Sequence, residues 1–101
     1  MPQDSSDKVV CETPTPGKQP TRIDRWKYDA VRKAILKVTP RRGDGIRFSE
    51  LADKVKSALP AKQLAELGSV SWYTTTVKLD LEVRGDIYRV DGARPQRLLK
   101  K

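Results

Sequence analysis

The sequence predicts a small α+β domain with a core of three helices, one short strand and a C-terminal β-hairpin. Apolar residues recur at helical spacing in three separate segments between residues 24 and 85. Near the C-terminus a turn signal, Asp91-Gly92, separates two short segments that combine apolar and basic residues. At 101 residues and 37% hydrophobic content, the chain suits one domain with one modest core.

The N-terminal segment, residues 1–22, is predicted to be a disordered extension, and residues 23–101 the folded domain. The extension is rich in Pro, Ser, Thr, Asp and Gln, and the stretch 12–20 has three prolines and no aromatic residue. Such a composition buries too little apolar area to offset the entropy of ordering the chain.

The first helix is predicted to begin after Asp24, a favourable N-cap residue, and to run to about Val38. Pro40 and Gly43 end it. Its apolar stripe is spaced three, four and three residues apart and consists of Tyr28, Val31, Ile35 and Val38. Its other face is basic.

Ile46-Arg47-Phe48 alternates apolar and polar residues and predicts a very short strand. Ser49 is the expected N-cap of a second helix over residues 50–58. A further short turn of helix is expected from Pro60 through Leu67, with Gly68 as its C-cap.

The third long helix is predicted to start at Ser69 or Ser71 and to end at Gly85. At about 100° per residue it has two apolar stripes and a single polar one. The first apolar stripe is Val70, Tyr73, Val77 and Leu81, the second is Trp72, Thr76, Leu79 and Val83, and the polar stripe is Ser71, Thr75, Lys78 and Glu82. We therefore expect both apolar stripes to face neighbouring elements, and Thr75 and Lys78 to face solvent. Asp80 lies between the apolar stripes and is expected to pair with an arginine such as Arg25, Arg32 or Arg97.

Two strands are predicted after this helix, over residues 86–90 and 96–99. Asp91-Gly92 opens the turn between them, and residues 93–95 lengthen it. We see no internal repeat.

The composition excludes several functional classes. The chain has no histidine and one cysteine, Cys11, so it lacks the ligands of common zinc sites and the commonest general base. No apolar run is long enough to span a membrane, and the N-terminus lacks a signal-peptide core. We therefore expect a cytoplasmic protein without cofactor or metal, with no catalytic residues and no evident small-molecule substrate.

The net charge of +8 lies entirely in the predicted folded domain. Residues 1–22 are neutral, whereas residues 23–101 carry eighteen Lys or Arg against ten Asp or Glu. A basic folded domain points to a polyanion such as nucleic acid, although a high pI also simply favours solubility.

The order of helix, short strand, helix, helix, strand, basic loop and strand, with the junction of residues 81–90, resembles the winged helix-turn-helix family. The runs 72–85 and 95–98 also resemble a family of short, uncharacterised bacterial proteins of unknown function. The first resemblance implies a recognition helix over residues 71–84 and a wing formed by the hairpin 87–99. The residues that would contact nucleic acid are then Ser71, Thr74, Thr75, Lys78, Arg89, Arg94 and Arg97.

Three functional hypotheses follow. A DNA-binding module, a small regulator or nucleoid-associated protein, is favoured, with double-stranded DNA as partner. The alternative is a winged-helix scaffold that binds a protein partner or forms a homodimer. An enzyme is disfavoured because carboxylates are scattered and no Gly-rich phosphate loop has the right context. The first helix is more basic than the third, so the sequence leaves open which helix would face the polyanion.

Overall fold

The computed structural model describes residues 8–14, 17, 19–92 and 96–101. These residues form four helices and two small antiparallel sheets, so the predicted α+β class is confirmed. The strands and helices are β1 (Lys8–Cys11), β2 (Thr21–Asp24), α1 (Arg25–Val38), β3 (Ile46–Arg47), α2 (Phe48–Ala58), α3 (Ala61–Leu67), α4 (Val70–Arg84), β4 (Ile87–Arg89) and β5 (Arg97–Lys100). None of the described helices has the length and apolar character to cross a membrane.

The N-terminal hairpin, formed by β1 and β2, corrects the prediction of a disordered extension over residues 1–22. Val9 pairs with Ile23 and Cys11 with Thr21, and the side chains of Val9, Cys11 and Ile23 are buried. Alternate residues of a strand point to the same face, so these three cover the helices with one apolar face. The remaining part of the expected extension, residues 1–7, 15, 16 and 18, lies outside the described residues.

The core lies between α1, α2, α4 and the C-terminal sheet. α1 and α4 begin and end within one or two residues of the predicted positions. Ser69 caps α4 by accepting a 3.1 Å hydrogen bond from the Trp72 backbone N–H, and Gly85 ends it in the left-handed conformation. The fully buried aliphatic residues among those described are Val31, Ile35, Leu51, Val55, Leu67, Val77, Leu81, Ile87 and Leu98.

The second helix starts earlier than predicted. α2 begins at Phe48, so Ser49 lies inside its first turn instead of capping it, and Arg47 occupies the N-cap position in extended conformation. The reason is a tertiary contact, because the Phe48 backbone N–H donates to the carbonyl of Gln96 at 3.0 Å. The chain therefore passes directly from β3 into α2.

The C-terminal sheet has the strand order β3-β5-β4, with β5 in the centre. Ile46 lies opposite Leu98, and Ile87 lies on the same buried face. Gly45 is required just before β3, since its φ is +83° and a Cβ there would lie 2.6 Å from the Leu98 carbonyl oxygen. The sheet thus packs one face on the helices, and its other face carries Arg47, Tyr88 and Arg97 together with the buried Leu99.

Candidate functional site

The predicted recognition residues of α4 do not share one exposed surface. Ser71 and Thr75 are exposed, as expected. Thr74 and Lys78 are buried, with only 1% and 2% of their surface accessible. The prediction that Lys78 faces solvent is therefore wrong, and neither Thr74 nor Lys78 can reach a ligand on the surface.

Two groups lie against the buried ammonium of Lys78. The Nζ atom lies 4.5 Å from the centre of the Phe48 ring and 3.4 Å from Oε2 of Glu82, one helical turn away. Burial of the ammonium lowers the pKa of Lys78, against the opposing effect of Glu82. Phe48 lies thirty residues earlier in the chain, so the sequence around Lys78 does not predict this burial.

The exposed side of α4 is the second apolar stripe of the sequence, and we call it the α4 row: Trp72, Thr76, Leu79 and Val83. Trp72 and Val83 are each 47% exposed, and Thr76 and Leu79 are half-buried. The expectation that this stripe faces neighbouring elements is wrong for Trp72 and Val83, whereas Thr76 and Leu79 lie beside the N-terminal hairpin. Val77 and Leu81 are fully buried, as predicted, so α4 is rotated from the orientation that its polar stripe suggested.

Two of the three predicted wing arginines, Arg89 and Arg97, lie in the described structure, and both make hydrogen bonds within the fold. Arg89 is bound to Glu82 by two hydrogen bonds, 2.7 Å from Nε to Oε1 and 3.4 Å from Nη2 to Oε2. This contact raises the pKa of Arg89 and occupies its guanidinium. Arg97 is half-buried and donates from Nη1 to the Gly45 carbonyl at 3.2 Å. Arg94 lies outside the described residues.

Cations lie instead beside both ends of β5, the strand that pairs with β3. Arg47 lies directly opposite Arg97 in the antiparallel register, and both project from the face of the sheet opposite to Ile46 and Leu98. Arg41 donates from Nε to the main-chain oxygen of Lys101 at 3.2 Å, which places the α1–β3 loop beside the end of β5. We call this set the basic sheet edge; it consists of Arg41, Arg42, Arg47, Arg97 and Lys101.

No Asp or Glu of the described residues pairs with the five cations of the basic sheet edge, and Asp44 is the acidic residue of the adjoining loop. Like charges directly opposite each other on paired strands are destabilising. An anion between Arg47 and Arg97 would relieve that repulsion.

Of this set, sequence reasoning selected Arg97 as a site residue and missed Arg41, Arg42, Arg47 and Lys101. The alternation Ile46-Arg47 in the sequence showed that Arg47 faces away from the core. What it lacked was the register, which sets Arg47 beside Arg97 across fifty residues of chain. Tyr88, which pairs with Leu99, lies on the same outer face and is exposed.

The cations of α1, the most basic element of the sequence, are largely engaged. Lys27 lies 5.0 Å from the centre of the Tyr73 ring, and Arg32 pairs with Asp86 at 3.6 Å. Lys33 and Lys37 remain exposed on the rim of a groove of about 460 Å³ between α1 and the α2–α3 turn. The floor of that groove is mostly apolar and includes Trp26.

A buried carboxylate, Asp80, lies on the side of α4 that faces α1 and the N-terminal hairpin. It accepts hydrogen bonds from the Tyr28 hydroxyl and from Nε of Arg84, at 2.5 Å and 2.7 Å, and from the Glu12 backbone N–H at 2.9 Å. Its arginine partner is thus Arg84, and not Arg25, Arg32 or Arg97. Every partner is a donor within the fold, which indicates a structural role. Among the described residues, no three His, Cys, Asp or Glu are grouped so as to hold a metal ion.

Comparison with known proteins adds a family but no activity. A model for a family of unknown function matches residues 8–98. The match begins at the first residue of β1, so the N-terminal hairpin belongs to the shared domain. No curated protein and no solved structure matches the chain significantly.

Proposed function

The chain belongs to DUF6958, a family of unknown function, and we propose that it binds double-stranded nucleic acid through the basic sheet edge. The observation that carries this proposal is the juxtaposition of Arg47 and Arg97 on neighbouring strands, with Arg41, the neighbouring Arg42 and Lys101 near the other end of β5. A duplex presents phosphates continuously along its length, so several fixed cations can be satisfied together.

We infer that the domain is of the winged-helix type. The element order supports this, as does the C-terminal sheet, in which the short strand β3 pairs with the last strand of the β4–β5 hairpin. The mode of binding that we propose differs from major-groove reading by the middle of α4. Thr74 and Lys78 are buried and Arg89 is held by Glu82, so these predicted contacts have no part in it.

The proposed contact is electrostatic and independent of sequence. The basic sheet edge consists of arginines and one lysine, which hold phosphates well but read bases only when placed inside a groove. Ser71 and Thr75 are exposed on α4 but carry no charge. We therefore expect similar affinity for duplexes of different sequence and a strong dependence on salt.

The proposal is tested by fluorescence anisotropy with a labelled duplex at two or more salt concentrations. With all five cations on phosphates, the slope of log affinity against log salt would be roughly −4.5. Arg47→Ala, an exposed position, should weaken binding and reduce the slope by roughly 0.9. Arg41→Ala with Arg42→Ala should reduce it by about twice that amount.

Lys62→Ala is the matched control, because Lys62 is an exposed cation on α3, outside the basic sheet edge. It should leave both affinity and slope unchanged. Equal losses from Lys62→Ala and Arg47→Ala would mean that only the net charge matters, and no binding at low salt would reject the nucleic-acid proposal.

A further inference from the structure

Tyr88 is an exposed aromatic residue on the outer face of the C-terminal sheet, the face that carries Arg47 and Arg97. It is 46% exposed, and within the described ranges its hydroxyl makes no hydrogen bond and its ring contacts no other ring or cation. Trp72 on α4 is similarly exposed, but the centre of its ring lies 4.8 Å from that of Tyr73. The Tyr88 ring is therefore available to a ligand.

The sheet register places Tyr88 between two cations of the basic sheet edge. Tyr88 lies directly opposite Leu99 of β5, and Arg97 and Lys101 are two residues before and two residues after that point. The Lys101 N–H donates to the Asp86 carbonyl at 3.0 Å, which continues the ladder between β4 and β5 through Lys101. Alternate residues of a strand face the same side, and four residues span roughly 13 Å. An aromatic ring thus lies midway between two cations on one face.

Neighbouring groups hold this arrangement in place. Leu99 is only 8% exposed although it lies on the outer face, and directly opposed side chains of paired strands pack side by side, so Leu99 supports the Tyr88 ring. The carboxylate of Asp86 pairs with Arg32 of α1 at 3.6 Å and not with Lys101. The surface therefore combines a supported ring with positive charge that no described carboxylate pairs with.

Such a surface matches the chemistry of one unstacked nucleotide. A nucleotide combines a flat base, which stacks on aromatic rings, with phosphates on either side, which arginine and lysine bind. In a continuous duplex the bases stack on one another, so a duplex that is held by its phosphates leaves the Tyr88 ring unused. An unpaired nucleotide at the end of a duplex offers the base and the phosphates together.

We propose that Tyr88 stacks on an unpaired base, so that the basic sheet edge binds a duplex with a single-stranded end more tightly than a blunt duplex. The inference rests on the proposed function, since Arg47, Arg97 and Lys101 supply the phosphate contacts. It adds a contact of a different kind, because stacking neutralises no phosphate and releases no counterions. It implies little preference among bases, since every base has a face that can stack.

The test compares duplexes that carry the same number of phosphates. One duplex ends in short thymine overhangs, and in its counterpart the overhanging nucleotides are abasic. Overhangs at the 3′ ends and at the 5′ ends are measured separately, by fluorescence anisotropy at one salt concentration. For at least one of the two polarities, we expect the wild type to bind the base-bearing duplex about five-fold or more tightly than its abasic counterpart, as stacking of one base on an aromatic ring implies.

Two variants of Tyr88 and one control locate the preference. Tyr88→Phe keeps the ring and should keep the preference. Tyr88→Leu keeps only apolar area and should bind base-bearing and abasic overhangs alike. Trp72→Leu removes a similarly exposed aromatic residue from α4 and should keep the preference. All three variants should bind blunt duplex as the wild type does, which shows that they are folded.

The outcomes separate this inference from the proposed function. Equal binding of base-bearing and abasic overhangs by the wild type, or a preference that survives Tyr88→Leu, would overturn the role of Tyr88 while binding of blunt duplex persists. A preference lost in Tyr88→Phe would assign the contact to the hydroxyl, and one lost in Trp72→Leu would move it to α4, and either result overturns stacking on Tyr88. No binding of any duplex at low salt would reject the proposed function itself.

Discussion

The hydroxyl of Tyr28 donates a 2.5 Å hydrogen bond to Oδ2 of Asp80, joining α1 to α4 inside the core. The same carboxylate accepts from Arg84 on its own helix and from the Glu12 backbone just after β1. The Asp80 carboxylate thus links α1, α4 and the segment after β1. Its charge is balanced by the Arg84 guanidinium, whose pKa it raises.

Asp80→Asn should be strongly destabilising. The amide nitrogen of Asn donates where the carboxylate accepted, and the ion pair with Arg84 is lost, so we expect the free energy of unfolding to fall by about 3–5 kcal/mol. Urea denaturation measures this. Asp86→Asn is the control: Asp86 pairs with Arg32 at 3.6 Å and both are substantially exposed, so its loss should stay below about 1 kcal/mol. Comparable losses in the two variants would contradict a buried, shared carboxylate.

The N-terminal hairpin predicts that truncation of two adjacent valines changes the free energy of unfolding by different amounts. Val9→Ala should lower the free energy of unfolding by about 1.5–3 kcal/mol, because the side chain is buried and leaves a cavity. Val10→Ala should stay within about 0.5 kcal/mol, because that side chain faces solvent. Thermal or urea denaturation of both variants decides the matter. If neither variant changes stability, β1 does not pack on the helices in solution.

The elements that the sequence predicted well are those whose signals are local. Ser69 and Gly85 bracket α4, because caps depend on the residues beside them. α1 begins after Asp24 as predicted, but the Asp24 carboxylate makes no cap hydrogen bond to the helix and pairs instead with Lys8 of β1. The N-terminal hairpin was missed for the complementary reason. Its strands are four residues each, and the contact that fixes it, Glu12 with Asp80, spans 68 residues of chain.

For the candidate site too, the sequence predicted local features but not contacts between distant segments. Periodicity placed the residues of α4 correctly around the helix axis, but it could not decide which sector faces the neighbours. The Phe48 ring, which covers Lys78, belongs to the start of α2, and local spacing says nothing of it. Likewise Arg47 and Arg97 become one site only through the register of β3 with β5.

Lys78→Met should leave the protein as stable as the wild type or more stable by up to about 2 kcal/mol at neutral pH. Methionine keeps the unbranched stem against Phe48 and removes a buried charge, while Glu82 retains Arg89 as its partner. Lys78→Ala is the control and should be destabilising, because it leaves a cavity.

The pH dependence of the Lys78→Met comparison has a definite sign. Burial holds the pKa of Lys78 below its ordinary value of 10.5 in the folded state, so the unfolded chain binds this proton more tightly. Wild-type stability therefore gains from this group as pH rises toward 10.5, and the advantage of Lys78→Met should shrink over the same range. An advantage that is constant with pH would contradict a buried ammonium.

The buried Cys11 thiol predicts that the free energy of unfolding falls at alkaline pH, whereas Lys78 makes it rise. Burial, with the nearby Asp80 carboxylate, raises the pKa of the Cys11 thiol from 9.0 to about 11. Between these values the folded chain keeps a proton that the unfolded chain has released, so the free energy of unfolding falls as pH rises through this window. A difference of two pH units corresponds to about 2.7 kcal/mol.

The measurement is urea denaturation under reducing conditions from pH 8 to pH 11, for the wild type and for Cys11→Ala. The variant should be less stable at pH 8, and the two profiles should converge by about 2–3 kcal/mol at pH 11. Tyr28 and Lys78 titrate in both proteins, so their contributions cancel in the difference. Profiles that stay parallel would show that the thiol is accessible to solvent and that the N-terminal hairpin does not cover it.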